Sequence, residues 1–413
     1  MTIKALFIGI VWPEPDSSAA GTRTIQLLQA GVAAGWDICF AATAQPGDFS
    51  ADLTSLGVRS HGITLNDSSF DRFIAAEQPD LVLFDRFMAE EQFAMRVAEQ
   101  CPDAVRILDT SDLHFLRRAR MTAFEKNAPL DLHTDDMRRE IAAILRCDLS
   151  LVVSEFETQL LRTQLQVPIT QLHYCPFMLP APEPATALPS FDERRDFVMI
   201  GNFLHKPNVD AVRWASRELW PQIKAVLPDA RCDVFGAHAR DVDRQLSRPE
   251  LDLCVRGRAS GARECLAQYR VNLATLRYGA GIKGKIADGF LAGTPCIATA
   301  VAAEAMAGDL PWGGSIADSA SEIVSAAKNL YTNPAHWAAA QEHGFEIIRQ
   351  RFAATAHRPA LIDRLSHILA DPASHRRQNV IGSVVMQQQL RSTYYMSKWI
   401  EDKQARLRSK GSE

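Results

Sequence analysis

Apolar residues occur along this chain in short runs of strand length, separated by stretches in which they recur every three or four positions. Residues 5–11 form the first run. A polar loop of small residues follows at 13–22, then a segment at 22–34 that places Ile25, Leu27, Leu28 and Val32 on one helical face and ends at Gly35. Residues 37–42 are the next run. Strand, loop, helix, strand is the opening of a parallel βαβ arrangement. The alternation continues with strands at 81–84, 105–108 and 149–153 and helices at 90–100 and 155–163. The stretch 178–190 holds four prolines and little to bury, which marks a hinge. Beyond it the alternation restarts: a strand at 197–200, a helix at 208–225 carrying Trp214 and Trp220, and strands at 232–235, 271–274 and 295–300. The pattern predicts an α/β protein of two Rossmann-like parallel-sheet domains facing a cleft. The first spans 1–178 and the second 194–375, joined by a proline-rich linker at 179–193. Open α/β sheets bind ligands beyond the carboxyl ends of their strands, and interdomain clefts are favoured sites.

A helical tail, 376–413, completes the chain. Its segment 387–407 carries Leu390, Tyr394, Tyr395, Trp399 and Ile400 and turns basic at its end. Two placements fit: folded back across both domains with the aromatic face buried, or laid on a membrane surface as a basic amphipathic helix.

Composition narrows the function classes. A chain of 413 residues with 47% hydrophobic and 23% charged residues reads as an ordinary globular protein of two or three domains. A net charge of -4 lacks the basic footprint of a nucleic-acid binder. Eight scattered cysteines without a CxxC pair argue against a zinc site or a disulfide framework and suit a reducing cytoplasm. The first apolar run is stopped by Pro13 and lacks a signal-peptide cleavage site, and no apolar run approaches the ~20 residues of a membrane span.

The most informative stretch is 277–306, RYGAGIKGKIADGFLAGTPCIATAVAAEAM. Gly279, Gly281 and Gly284 make a turn that carries Lys283 and Lys285 and enters a helix predicted at 286–291. A glycine turn leaves amides free at a helix start, and with the helix dipole and two lysines that end suits a phosphate. Asp288, one turn into the helix, reaches hydroxyls on whatever carries the phosphate. No GxxxxGK[ST] is present, so this is not a Walker loop. Spacing alone equally allows a tight turn with solvated lysines.

Three stretches resemble a known family: 277–295, the run IGNFLHKPNVDA at 200–211, and CDLSLVVSEFE at 147–157. Together with the two-half layout, 1–370 resembles glycosyltransferases of GT-B architecture, in the group related to retaining glycosyltransferase family four (glycosyl transferases group 1). The resemblance implies a nucleoside-diphosphate sugar as donor, a hydroxyl acceptor, retention at the anomeric centre and a place in polysaccharide or glycoconjugate synthesis. No metal or cofactor is expected, because lysine and arginine can neutralise the phosphates and no DxD lies in a convincing loop; the cysteines suit the cytoplasm, and the tail allows a peripheral membrane contact. Of the family's two signature glutamates, the second falls on Asp288, which keeps the carboxylate for the ribose, and the first on Ala280, which has no polar group. The family's second-domain arginine and lysine fall on Asn202 and Pro207, with Lys206 adjacent. Arg277, Lys283 and Lys285 supply compensating charge, Gly281 and Gly284 shape the turn, and Glu304 borders the nucleotide.

In the first domain, the loop 15–23 resembles the family's first loop, which brings Gly21 and Arg23 toward the reacting centre. Ser18 or Thr22 as a helix N-cap accounts for the same residues. Asp112 and His114, at the end of the strand 105–108, occupy the place of the family's Asp–His pair that meets the sugar. Arg117, Arg118 and Arg120 follow on a helix, where a solvated face is the simpler reading than an anionic acceptor site. The departures at Ala280 and Asp288 keep two alternatives open: a nucleotide-sugar epimerase of the same fold, and a non-catalytic nucleotide-sugar-binding partner protein.

Overall fold

The computed structural model describes residues 2–410, the side chains of 388–393, 404–405 and 407–410 excepted. The first domain runs β1 (Lys4–Gly9), α1 (Ala19–Ala33), β2 (Asp37–Ala42), β3 (Arg59–Gly62), α2 (Ser68–Glu77), β4 (Leu81–Asp85), α3 (Arg86–Gln100), β5 (Val105–Asp109), α4 (His114–Lys126), α5 (Asp135–Arg146), β6 (Leu149–Val152), α6 (Glu155–Thr163) and β7 (Leu172–Tyr174). The second runs β8 (Arg195–Ile200), α7 (Lys206–Trp214), α8 (Trp220–Val226), β9 (Cys232–Phe235), α9 (Asp241–Arg244), β10 (Leu253–Gly257), α10 (Ala262–Leu266), β11 (Tyr269–Ala274), α11 (Gly284–Leu291), β12 (Cys296–Ala298), α12 (Ala300–Ala303), β13 (Gly314–Ile316), α13 (Ala320–Thr332) and α14 (Pro334–Arg351). The chain closes with α15 (Ala354–Ala370), α16 (Pro372–Arg377) and α17 (Val380–Lys410).

Strand order is β3-β2-β1-β4-β5-β6-β7 in one sheet and β10-β9-β8-β11-β12-β13 in the other, with parallel pairing between neighbours throughout. Strands buried on both faces read as continuous apolar runs, which is why they were legible. In the first domain, Leu27 and Leu28 of α1 fill one face of the sheet, and Phe70, Phe87, Phe93 and Ile144 from α2, α3 and α5 fill the other. Helix α1 starts at Ala19, because the Ser18 side chain accepts from the Gly21 amide and caps it. The helix expected at 208–225 is interrupted by a π segment at Ala215–Leu219. Pro221 lacks an N–H, and its ring crowds the carbonyl one turn back, which opens the helix there.

The boundary at 375 is displaced. Leu179 bridges to Ala353, and Leu361, Leu365 and Ile368 of α15 sit in the core of the first domain. The chain therefore returns to the first domain at α15, about twenty residues earlier than its composition suggests.

Helix α17 folds back, but onto α3 and α5 of the first domain rather than across both domains. The Asn379 side chain donates to the Leu145 carbonyl at 2.8 Å, the Ser68 amide donates to Glu401 at 2.9 Å, Arg96 donates to Ser397 at 2.9 Å, and Lys398 pairs with Asp71 at 3.2 Å. The expected burial of the aromatic face is not found: Tyr395 is 68% and Trp399 59% exposed. The helix docks through its polar side, where Arg96 and Asp71 offer partners. Deleting 379–413 removes these bonds and is expected to cost roughly 1–3 kcal/mol, the range for hydrogen bonds to charged groups, and to lower the melting temperature by several degrees. A melting scan that leaves the transition in place would show that α17 adds nothing to the first domain.

Candidate active site

The two sheets turn their carboxyl ends toward one cleft of about 420 Å³. Its first-domain wall is the loop after β1 with the first turns of α1, then Asp85 and Arg86 at the end of β4, and Ser111, Asp112, His114 and Arg117 after β5. The second-domain wall is Gly201, Asn202, His205 and Asn208 after β8, Gly236 and Ala237 after β9, and the glycine turn with α11 after β11.

Lys283 is the N-cap of α11, so Gly284 and Lys285 hold the first two helical positions, whose amides have no partner within the helix. The Lys285 ammonium donates to Asn208 Oδ1 at 2.7 Å, and Asn208 in turn donates to the Asn202 carbonyl at 2.9 Å. The Lys283 ammonium donates to the carbonyls of Gly281 at 2.6 Å and Ala280 at 3.2 Å. Burial lowers both lysines to about 8. Asp288 accepts from Arg263 Nε at 3.2 Å, and burial raises its carboxyl pKa against the pull of Arg263. Lys283, Gly284, Lys285, Asp288 and Asn202 thus share one wall.

Four residues expected there do not reach that wall. Gly281, at φ +64°, donates its amide to Glu157 Oε1 at 2.7 Å, so that amide is not free for a ligand. Arg277 forms an ion pair with Asp210 at 2.6 Å and stacks over Trp214 and Phe124. Lys206 is exposed at the start of α7, turned from the cleft. Glu304 takes both terminal nitrogens of Arg120 at 2.8 Å and sits outside the cavity. For Gly281, Arg277 and Glu304, a tertiary partner drew the polar atoms elsewhere; Lys206 faces solvent.

Across the cleft, Arg23 is buried with its guanidinium committed: Nε and Nη2 meet Asp109 at 2.8 and 2.6 Å, and Nη1 donates to the Cys175 carbonyl at 2.6 Å. It borders the cleft and braces the end of β5. Asp112 pairs with Arg117 and lies 3.4 Å from His114 Nε2. Burial pushes the Asp112 carboxyl up, but Arg117 and His114 outweigh it and hold it below the usual range. Burial lowers His114 to about 4, against the opposing pull of Asp112, so its imidazole is neutral at pH 7, and its buried Nδ1 has no partner within the protein.

Sequence reasoning missed His205, Asn208 and Arg86 on the walls. It also missed two buried carboxylates beneath them. Glu140 accepts from the amides of His114 at 3.2 Å and Phe115 at 2.9 Å, and Glu157 accepts from the amide of Leu113 at 3.1 Å. Burial raises them to about 8 and about 7. Glu157 stands three residues after Ser154, a helix-start signature that hides its inward reach. Arg86 carried a faint signal only, directly after the strand-ending Asp85, with which it pairs at 2.7 Å.

Residues 194–333 match the family Glycosyl transferases group 1. Among solved structures, a sucrose-phosphate synthase from Thermosynechococcus elongatus is 15% identical, with a TM-score of 0.68 over 89% of this chain and 99% of that one. Anabaena HepE in complex with UDP-glucose is 11% identical, with a TM-score of 0.66 over 88% and 100%. A glycosyltransferase from Rickettsia africae is 12% identical, with a TM-score of 0.63 over 90% and 99%. At these identities, the structural likenesses bear on the fold, which is GT-B. A search of curated proteins gives no match.

Proposed function

We propose that this chain, a glycosyltransferase by its group 1 domain and GT-B fold, moves a sugar from a nucleoside-diphosphate donor to a hydroxyl acceptor with retention. The observation that carries this reading is the pair of open amides at Gly284 and Lys285, with the buried Lys283 and the half-buried Lys285, facing Asp112 and His114 across one cleft. Cleaving the anomeric bond puts charge on the leaving diphosphate. Helix-start amides and lysines, aimed in advance at that place, stabilise it electrostatically. Asp288 receives the ribose hydroxyls, as the family resemblance implies. Asp112 and His114 present an ionised carboxylate and a neutral imidazole to the sugar, and the acceptor hydroxyl enters along the first-domain wall. HepE has been captured with UDP-glucose, which supports a donor of that class here. The experiment is nucleoside-diphosphate release from a panel of nucleotide sugars, with and without hydroxyl acceptors. Release that needs no acceptor and is not hydrolysis would point to an epimerase or another reaction.

Lys285→Ala is expected to weaken nucleoside-diphosphate binding by roughly 1–3 kcal/mol, as for a hydrogen bond to a charged group. Both lysines lose their proton as pH rises through about 8 in the empty cleft. Binding needs the charged form, so parent affinity is expected to be full below that value and to fall above it. Calorimetric titration at pH 7 and pH 9 checks both; equal affinities for parent and variant would remove Lys285 from the diphosphate.

We place the outward face of α17 on an anionic membrane surface. Val380, Val384, Tyr395 and Trp399 are exposed on it, with Lys403 over the Trp399 ring. None of the described helices is long and apolar enough to cross a membrane. Vesicles containing phosphatidylserine should sediment the full chain but not the chain lacking 379–413; sedimentation of both would put the contact elsewhere.

A further inference from the structure

We infer that Glu157 is a positioning residue for the transfer reaction: with Arg120, it clamps the second domain's glycine turn against the loop that carries Asp112 and His114. Both residues belong to the first domain and lie outside the cleft wall. Glu157 is fully buried, and its Oε1 receives two amides, Leu113 N from its own domain at 3.1 Å and Gly281 N from the other at 2.7 Å. One carboxylate oxygen therefore ties the residue before His114 to the centre of the donor turn. Arg120 grips the same turn two residues earlier, donating to the Gly279 carbonyl at 2.9 Å while forking Glu304. The turn is thus held by an acceptor and a donor from the opposite domain.

The fit requires glycine at 281. Its φ of +64° disfavours other residues, and a Cβ there would stand 2.8 Å from Asp112 Cβ. Ala280 offers the turn no polar side chain; Lys283 braces it from within through the Gly281 and Ala280 carbonyls, and Glu157 and Arg120 hold it from across the domain boundary. On the far side of the same seam, Arg351 of the second domain pairs with Glu155 at 2.5 Å, at the start of the helix that carries Glu157. Because the clamp joins the two domains, it aligns the diphosphate end with Asp112 and His114.

This inference rests on the transferase reading. Its contribution falls on the transfer step, because the groups assigned to the nucleotide, Asp288 and Lys285, lie in the second domain, whereas alignment with His114 needs both. Misplacing reacting groups by about 1 Å can cost on the order of a hundredfold in rate.

The test uses the full chain with Glu157→Leu, Glu157→Gln and Arg120→Gln. Hydrogen exchange of the ligand-free protein reads the peptide 277–285. The leucine and Arg120 variants should lose protection there, while glutamine at 157, which keeps an acceptor oxygen, should retain most of it. With the active nucleotide sugar, the leucine variant should lose roughly a hundredfold in kcat while the donor KM moves less than about threefold, and glutamine should rescue kcat. A double variant at 157 and 120 no slower than the leucine variant would show the two arms acting as one device. Unchanged turn protection in both the leucine and Arg120 variants, or a loss carried by KM alone, overturns the inference. If the parent binds none of UDP, GDP and ADP, the transferase reading fails, and the exchange result still judges the clamp.

Discussion

Arg23→Ala is expected to destabilise the protein by about 3–5 kcal/mol, the cost of leaving a buried charge without its partner. Arg23 is 1% and Asp109 2% exposed; Nε donates to both carboxylate oxygens at 2.8 and 3.0 Å, and the closest approach of the ion pair is 2.6 Å. Removing the guanidinium strands the Asp109 carboxylate at the end of β5 and leaves the Cys175 carbonyl without its donor. Arg23→Lys keeps a charge but not the planar group that reaches Asp109 and the Cys175 carbonyl together, and should lie between alanine and parent. A paired change, Arg23→Met with Asp109→Leu, should recover much of the loss, because it removes both charges together. Chemical denaturation followed by circular dichroism measures all three. A loss below about 1 kcal/mol for alanine would mean that the pair is not desolvated as described. Activity lost in Arg23 variants would then report on the β5 end before it reports on catalysis.

The largest effect on rate is expected at His114. Under the proposed reading, its neutral imidazole, which lines the cleft beside Asp112, would hydrogen-bond the transferred sugar or the departing oxygen. Removing one such preorganised group typically costs on the order of a hundredfold to a thousandfold in kcat. His114→Ala should therefore transfer sugar that much more slowly while binding nucleoside diphosphate as the parent does. The pH profile supplies a second check. Burial lowers His114 to about 4, so it stays neutral from pH 8 down to the neighbourhood of pH 4 and gains its proton only there. No limb of the kcat profile between pH 6 and 8 should belong to His114. A limb near pH 6.5 that disappears in the alanine variant would contradict the buried, neutral assignment.

The reading of the sequence met the structure most closely where one residue's surroundings lie nearby in the chain. The strand at 37–42, the helix at 155–163 and the strand at 232–235 appear with those boundaries, because a buried parallel strand and an amphipathic helix are written in local periodicity. The glycine turn entering a helix was local in the same sense, and α11 begins at Gly284 with the two lysines beside it. Charged groups were read less well. Arg277, Glu304 and the Gly281 amide all carry chemistry suited to a nucleotide, yet each finds a closer partner from a distant part of the chain: Asp210, Arg120 and Glu157. Glu157 shows the reverse error, a residue with the local signature of a helix start that tertiary packing turns into a bridge between domains.

The tail divides in the same way. Its helicity was written in the spacing of its apolar residues, but the side it turns to the protein was not, because docking was decided by Arg96 and Asp71 in the first domain. By itself, then, the sequence determined two parallel-sheet halves and a glycine turn that enters a helix, since each depends on periodicity and turn chemistry within a few residues. Only the tertiary structure decided which cations face the cleft, which carboxylates lie buried beneath it, and where the chain crosses back to its first domain. Those outcomes depend on desolvation and on partners more than a hundred residues away, which no local pattern records.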